Sequence, residues 1–313
     1  MFRRIGIIGA GAMGVSLAAL TSRHVATTIV VRNRERAGRI ERFGARVTGQ
    51  LDGFGRPTVV GSIEELADFG PDDLLFIATK TTAIADVCRT LASIFDEVPF
   101  VVSYQNGIES GRSIIGLLGT DRVARMVLTY GATLLPPRGD GAPVQIRVDL
   151  NAPPHYVGGE GAVVHELSRE LARSLTRAGL PTEFSADIEY QVWRKAIANA
   201  AGNPVAAIIR APLGELMESP ARSLIERLLD EGISVATALG IELGDSYKTE
   251  ALAPMLAGGK HLPSMAEDVM AGRRTEITQL NEQIVERARE VGVPAPTHEA
   301  VIQLIRTFEW RYG

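Results

Sequence analysis

The chain has 313 residues, enough for two domains of ordinary size, and its 45% hydrophobic and 22% charged residues exclude the disordered, collagen-like and low-complexity classes. Lys plus Arg number 33 against 37 for Asp plus Glu, so the net charge of −4 provides no broad basic field and nucleic acid is not an expected partner. The single cysteine, Cys88, cannot close an intramolecular disulfide, and His24, His155, His165, His261 and His298 have no ligand-like spacing; together they predict a reducing, cytoplasmic setting and no protein-built metal site.

The opening Met1-Phe2-Arg3-Arg4 precedes a mostly apolar run from Ile5 to Leu20, but Gly6, Gly9, Gly11 and Gly14 divide that run into strand, turn and helix. A secretory signal or membrane segment is therefore not expected, and no later run reaches the ~18 apolar residues of a span. Strands are predicted at 4–8, 27–31, 74–78, 100–103, 123–128 and 144–148, with helices near 12–22, 82–95 and 160–178 between or after them. Ser62-Ile63-Glu64-Glu65 reads as a capping box opening a short helix, while Pro136-Pro137 and Gly139-Asp140-Gly141 mark a loop. This alternation predicts a parallel sheet wrapped by helices.

Gly9-Ala10-Gly11-Ala12-Met13-Gly14 matches G-x-G-x-x-G. Alone the pattern is weak, but here a predicted strand ends directly before it and a helix begins directly after, the context that dinucleotide binding requires. The first glycine permits a tight turn, the second lets the backbone approach a pyrophosphate, the third lets the helix pack closely, and the helix N-terminus offers N–H donors. A glycine-rich turn without a ligand is the bland alternative. At the end of the second strand an NAD site would carry an acidic residue for the ribose hydroxyls. Here Val30-Val31 leads into Arg32, the first of six arginines up to Arg46 (32, 34, 36, 39, 42, 46). Most of these read as a solvated helix face; Arg32 is the one placed to clamp a 2′-phosphate, which predicts NADP(H). Glu35 lies beyond the strand, in the following helix.

After Pro181 the pattern turns helical, with segments at 186–209, 219–239, 264–271 and 276–291. A Rossmann-type doubly wound sheet over residues 1–184 followed by an all-α domain over 185–313 is the resulting α/β expectation, with ligand at the crevice by the strands' carboxyl ends. In the first of these helices Lys195, Asn199 and Asn203 are spaced i, i+4, i+8, so they share one stripe along about 12 Å of a face lined by Ala, Ile and Gly. Either the stripe binds a small polar substrate, or it is an exposed lysine with two incidental asparagines. Only four of the 33 basic residues are lysines (Lys80, Lys195, Lys248, Lys260), and lysine, unlike arginine, can surrender a proton near neutral pH. Hydride reduction of a ketone requires such a donor. Ser264 reads equally as an N-cap with Glu267 three residues on, and Glu276 as a helix-opening acid.

Taken in order, the Gly9–Gly14 loop, Arg32, Ala78-Thr79-Lys80, Gln105-Asn106-Gly107-Ile108, Trp193-Arg194-Lys195 with Asn199 and Asn203-Pro204, and Pro263-Ser264-Met265 with Asp268 and Thr275-Glu276-Ile277 resemble the ketopantoate reductase (2-dehydropantoate 2-reductase) family nearly end to end. The resemblance implies reduction of 2-dehydropantoate to pantoate with NADPH, on the route to pantothenate and coenzyme A. It implies Lys195 as general acid, with Glu276 beside nicotinamide and substrate. Asn199, Asn203 and Ser264 would hold the substrate's hydroxyl and carboxylate, Asn106 would lie between substrate and nicotinamide, and Lys80 and Ala132 would touch the cofactor. Two departures stand out. Leu213 replaces a polar residue found in family members, and 144–150, with Arg147 and Asp149, lacks the family's His- and Gly-containing pattern. A reductase of another branched 2-oxo acid, or a non-enzymatic NADP(H) sensor, are the competing readings; a covalent aldehyde-oxidising dehydrogenase would need a catalytic cysteine that Cys88 does not supply. The expected partners are thus a small 2-oxo acid and no membrane, with the protein a monomer or homodimer.

Overall fold

Leu74–Ile77 and Phe100–Ser103 are buried at every position, the mark of strands covered by helices on both faces, whereas Val144–Asn151 alternates buried and open positions as a strand with one wet face does. The computed structural model, which describes residues 2–137, 139–257, 259 and 262–312, places these strands in two different sheets. Lys260 and His261 lie outside the described residues.

Two compact units form the chain: Met1–Gln105 with Ser110–Ile188, and Asn106–Glu109 with Glu189–Gly313. The first unit runs β1 (Arg4–Ile8), α1 (Ala12–Thr21), β2 (Ala26–Val30), α2 (Arg34–Phe43), β3 (Ala45–Gly49), β4 (Gly53–Gly55), β5 (Thr58–Val60), β6 (Leu74–Ile77), α3 (Ile84–Ile94), β7 (Phe100–Ser103), α4 (Ser110–Leu118), β8 (Val123–Val127), β9 (Tyr130–Leu134), β10 (Val144–Asn151), β11 (His155–Gly158), α5 (Ala162–Arg177) and β12 (Thr182–Phe184). Its main sheet has the order β12-β11-β8-β7-β6-β1-β2-β5. The six strands from β5 to β8 are parallel, and their order reverses at β1 and β6, the doubly wound arrangement whose ligand site lies outside the carboxyl ends at that switch point.

The predicted α/β architecture is present, with two corrections. The sheet is not parallel throughout, because β11 runs antiparallel to β8. The strand predicted at 144–148 does not join it: β10 belongs to a separate four-stranded sheet, β4-β3-β10-β9. Cys88 lies buried on α3, where desolvation raises its thiol to about 11, so it is no thiolate nucleophile.

At the start of β1, Arg4 reaches the buried Asp73 at 2.7 Å, and Gly70 N donates to the same carboxylate oxygen at 2.9 Å. Burial opposes the Asp73 charge, but Arg4 and the Gly70 N–H outweigh it and hold the carboxyl below its ordinary range. Arg4→Met leaves that charge buried without its cation, and an expected loss of about 3 kcal/mol would appear in urea unfolding at neutral pH. Because the Asp73 pKa is depressed on folding, this contribution is present above the unfolded carboxyl pKa and fades as pH falls through the folded value, so the difference between variant and parent narrows in acid.

The second unit is helical: α6 (Ile188–Ile209), α7 (Leu213–Met217), α8 (Arg222–Ala238), α9 (Tyr247–Ala257), α10 (Ser264–Met270), α11 (Asn281–Val291) and α12 (Pro296–Tyr312). Its core gathers Trp193, Ile197 and Val205 of α6 with Leu228, Val235, Ile284, Val301 and Ile305. Inside that core Asn281 donates to the Ala200 carbonyl at 2.8 Å and meets His298 Nδ1 at 3.0 Å, while His298 Nε2 donates to the Leu228 carbonyl at 3.0 Å. Burial lowers the His298 pKa, which keeps the ring neutral and structural.

Candidate active site

In the first unit the glycine loop turns from β1 into α1. Gly9 has φ +120°, and a Cβ there would lie 2.7 Å from the Ala78 carbonyl carbon. A Cβ on Gly14 would lie 1.9 Å from the Gly9 carbonyl oxygen. Both are therefore demanded by the protein's own packing. Gly11 is different: it is exposed, caps α1 with no side-chain bond, and a Cβ there would meet nothing within 4 Å. Its missing side chain leaves the helix N-terminus open to an outside group, as a pyrophosphate cradle requires.

Other groups at the same edge fit a dinucleotide. Thr79 Oγ1 and Gln105 Nε2, just beyond β6 and β7, are buried polar atoms without a hydrogen-bond partner among the described residues. Such atoms carry a desolvation cost that a ligand relieves. Arg32 follows β2, is exposed, and takes no hydrogen bond or ion pair among the described residues. Arg36, on α2, instead donates to the Ala10 carbonyl at 2.7 Å and ties that helix to the loop. The expected solvated helix face is thus modified: Arg39 donates to the Gly139 carbonyl and Arg46 lies not on the helix but on β3. Lys80 stands exposed at the entry to a 3-10 turn after β6, and half-buried Ala132 lies on β9 of the smaller sheet.

In the second unit the polar stripe is real, since Lys195, Asn199 and Asn203 all lie half-buried on α6. Lys195 Nζ donates to Asn106 Oδ1 at 2.7 Å, and Asn106 Nδ2 donates to Glu276 Oε2 at 3.1 Å. An ammonium on one side and a carboxylate on the other fix which way the amide faces, because only its oxygen accepts and only its nitrogen donates. Desolvation lowers Lys195 to about 8, while the Glu276 charge opposes the shift. The result is a half-buried cation that titrates close to neutrality, an unusual state outside reactive sites. Asn199 and Asn203 take no side-chain hydrogen bond among the described residues, which leaves their amides with donors and acceptors to offer.

One modest expectation fails and another is modified. Ser264 is not an N-cap: Pro263 holds that place, the helix begins at Ser264, and no side chain caps it, so the exposed hydroxyl is not engaged by its own helix. Glu276 does stand at a helix start, but the helix is a 3-10 turn at Ile277–Gln279 and not one run over 276–291: a break at Leu280 precedes α11, and the Glu276 carboxylate accepts from Asn106. Beyond the predicted residues the structure adds Arg36, Thr79 and Gln105; the last two sit in short motifs after strands, the signal by which a sequence points to them. Among the described residues no three His, Cys, Asp or Glu side chains are grouped to hold a metal ion, and no helix is long and apolar enough to cross a membrane.

Residues 5–141 match the family described as ketopantoate reductase PanE/ApbA, and residues 187–309 match its C-terminal counterpart. The 2-dehydropantoate 2-reductase of Aquifex aeolicus is 29% identical over 320 residues, which cover 99% of this chain and 98% of that protein. A PanE/ApbA family ketopantoate reductase from Ralstonia eutropha superposes with a TM-score of 0.84 at 24% identity, covering 99% of each chain. D-mandelate dehydrogenase in complex with NADH and anilino(oxo)acetate superposes at 0.81 and 22% identity, again over 99% of each chain. At these identities the two structures share the fold with this chain.

Proposed function

The chain belongs to the ketopantoate reductase family, and we propose that it reduces 2-dehydropantoate to pantoate with NADPH, with Lys195 as the proton donor. The observation that carries this reading is the Lys195–Asn106–Glu276 cluster, in which a desolvated ammonium is aimed by one amide. Bound NADPH supplies the hydride that adds to C2 of the 2-oxo acid. Negative charge then grows on the former carbonyl oxygen and draws the proton from Lys195 Nζ, leaving a neutral amine that is recharged from solvent. Asn106 accepts from the ammonium and restricts where its remaining protons point, and Glu276 stops the amide from flipping. Asn199 and Asn203 supply further donors along α6 for the carboxylate and hydroxyl of the substrate, joined by the Ser264 hydroxyl.

The loop at Gly9, Ala10, Gly11, Ala12, Met13 and Gly14 would receive the pyrophosphate, and the open face at Gly11 supports that fit. Thr79, Lys80, Gln105 and Ala132 would line the remainder of the cofactor, with Asn106 and Glu276 near its nicotinamide. The preference for NADPH over NADH rests on Arg32, an uncommitted guanidinium following β2 where no carboxylate stands. Arg32→Ala is expected to weaken NADPH about 10- to 100-fold, the worth of one or two charge-assisted bonds, and to leave NADH nearly unchanged. Arg36→Met should weaken both alike, since it acts through the Ala10 carbonyl. Fluorescence titration with each nucleotide reads the difference, and an equal loss in Arg32→Ala refutes the 2′-phosphate role.

A second reading has its own observation. Gly202 faces the same side of α6 as Lys195, seven residues on, and a Cβ on it would come within 3.0 Å of Leu213 and 3.4 Å of Met255. Apolar side chains packed onto α6 at that end of the stripe would suit a branched 2-oxo acid without a terminal hydroxyl, were the substrate to reach them. Steady-state NADPH oxidation with ketopantoate and a panel of such acids separates the two. The first reading requires that ketopantoate have the highest kcat/KM; a competitor ahead by about 100-fold, ~2.7 kcal/mol in transition-state binding, establishes the second.

A further inference from the structure

Asn106 is held by more than its two polar neighbours. The four residues Asn106–Glu109 interrupt the first unit and belong to the second. Ile108 is fully buried in the helical core, and Gly107, at φ +101°, lies so close to the 3-10 turn that a Cβ would be 2.9 Å from the Gln279 carbonyl oxygen. Gln283 Oε1 on α11 accepts from the backbone N–H of Ile108 at 2.9 Å and of Glu109 at 3.1 Å. One turn further along the same face, Arg287 holds the Glu109 carboxylate at 2.6 Å.

We infer that Gln283 is a positioning residue for the proton donor: by gripping two consecutive peptide N–H groups it fixes the segment from which Asn106 reaches Lys195. This rests on the reading of Lys195 as that donor. A single oxygen accepting from adjacent amides sets both the position and the tilt of the peptide between them, and Asn106 lies two residues upstream. Arg287 supports the same segment through Glu109. Without Gln283 the segment keeps the Ile108 anchor and the Arg287–Glu109 ion pair but loses the grip on its two peptide N–H groups, and a misplacement of about 1 Å at a catalytic group costs on the order of 100-fold at worst.

The test exploits the scarcity of lysine. With Lys80, Lys195, Lys248 and Lys260 as the complete set, side-chain carbon-13 labelling of lysine gives four signals, and Lys195→Ala assigns the one that matters. Its titration midpoint is read in the free protein, with no substrate or cofactor present. Gln283→Met keeps side-chain length and removes the acceptor; Gln283→Glu keeps an acceptor. Glu276 is the charged group that acts on the ammonium, and neither variant alters it.

In Gln283→Met the midpoint is expected to fall by about half a pH unit or more, since the ammonium loses a well-placed acceptor. Its kcat for reduction is expected to fall about 10-fold with KM for NADPH unchanged. Gln283→Glu should restore the midpoint to the parent value or above it and recover most of the lost kcat. Arg287→Met, which loosens the same segment at Glu109, should lower the midpoint by a smaller step and keeps the question answerable if Gln283→Met does not fold. A parent-like midpoint in both Met variants overturns the inference, as does a Gln283→Glu protein no better than Gln283→Met. Failure of the functional reading is seen separately, as a parent protein that reduces no 2-oxo acid.

Discussion

Replacement of Lys195 by alanine is expected to lower kcat for ketone reduction by about 100-fold or more, the scale of a lost general acid, with little change in KM for NADPH. The lysine is singled out by what surrounds it: burial strips water from the ammonium, the Glu276 charge opposes the resulting downward shift, and Asn106 accepts its hydrogen bond. Reduction needs the protonated form, so the rate of the parent enzyme should fall as pH rises through about 8. The alkaline limb should vanish in Lys195→Ala, leaving a low, flat profile. Near-normal turnover in the variant, or an unchanged limb, removes Lys195 from the role. The same shift has a cost in stability. Its folded pKa lies below the unfolded value of 10.5, so charged Lys195 opposes folding below about pH 8, and that penalty is relieved as pH climbs between the two values.

Gly14→Ala should abolish dinucleotide binding, with affinity for NADPH reduced by more than about 100-fold, or ~2.7 kcal/mol. The added methyl would lie 1.9 Å from the Gly9 carbonyl oxygen and 3.4 Å from Ala78 Cβ, so the loop and the start of α1 must separate. Neither side yields easily, since the Gly9 backbone is itself pressed against Ala78 and Thr79. Thermal stability falls with binding, by the ~1–3 kcal/mol typical of overpacking. Gly11→Ala makes the informative contrast. Its methyl meets nothing, so the melting temperature stays at the parent value while nucleotide affinity drops. Parent-like affinity in Gly11→Ala shows that the pyrophosphate does not pass over that residue, and parent-like affinity in Gly14→Ala shows that the loop does not hold the nucleotide.

Short-range spacing made much of this legible in the sequence. The glycine loop is one turn between a strand and a helix, and Lys195, Asn199 and Asn203 share a helix face by arithmetic alone. What escaped is what depends on distant partners. The smaller sheet draws β3 and β10 together across some hundred residues, and its three-residue strand β4 is too short to show a period. Even so, β10 carried a clue, since its alternating Val144, Ile146 and Val148 differ from the unbroken apolar run of Leu74–Ile77. Ser264 and Glu276 each fit a helix-start pattern, but Pro263 had already taken the capping place and Asn106, 170 residues away, claimed the carboxylate. Arg36 looked like one more solvated arginine because nothing local says that its head reaches back to Ala10.

The four-residue loan of Asn106–Glu109 also limits how this chain can be divided. A C-terminal fragment beginning at Glu189 would lack Ile108 in its core, leave Gln283 without its two peptide donors and leave Arg287 only Glu290 of its two carboxylate partners, and an N-terminal fragment ending at Ile188 would carry an apolar side chain with no home. Splitting the gene at that boundary should therefore yield two poorly behaved halves that recover order on being mixed. Chimaeras between relatives should tolerate exchange of the helical half only when this tetrapeptide travels with it.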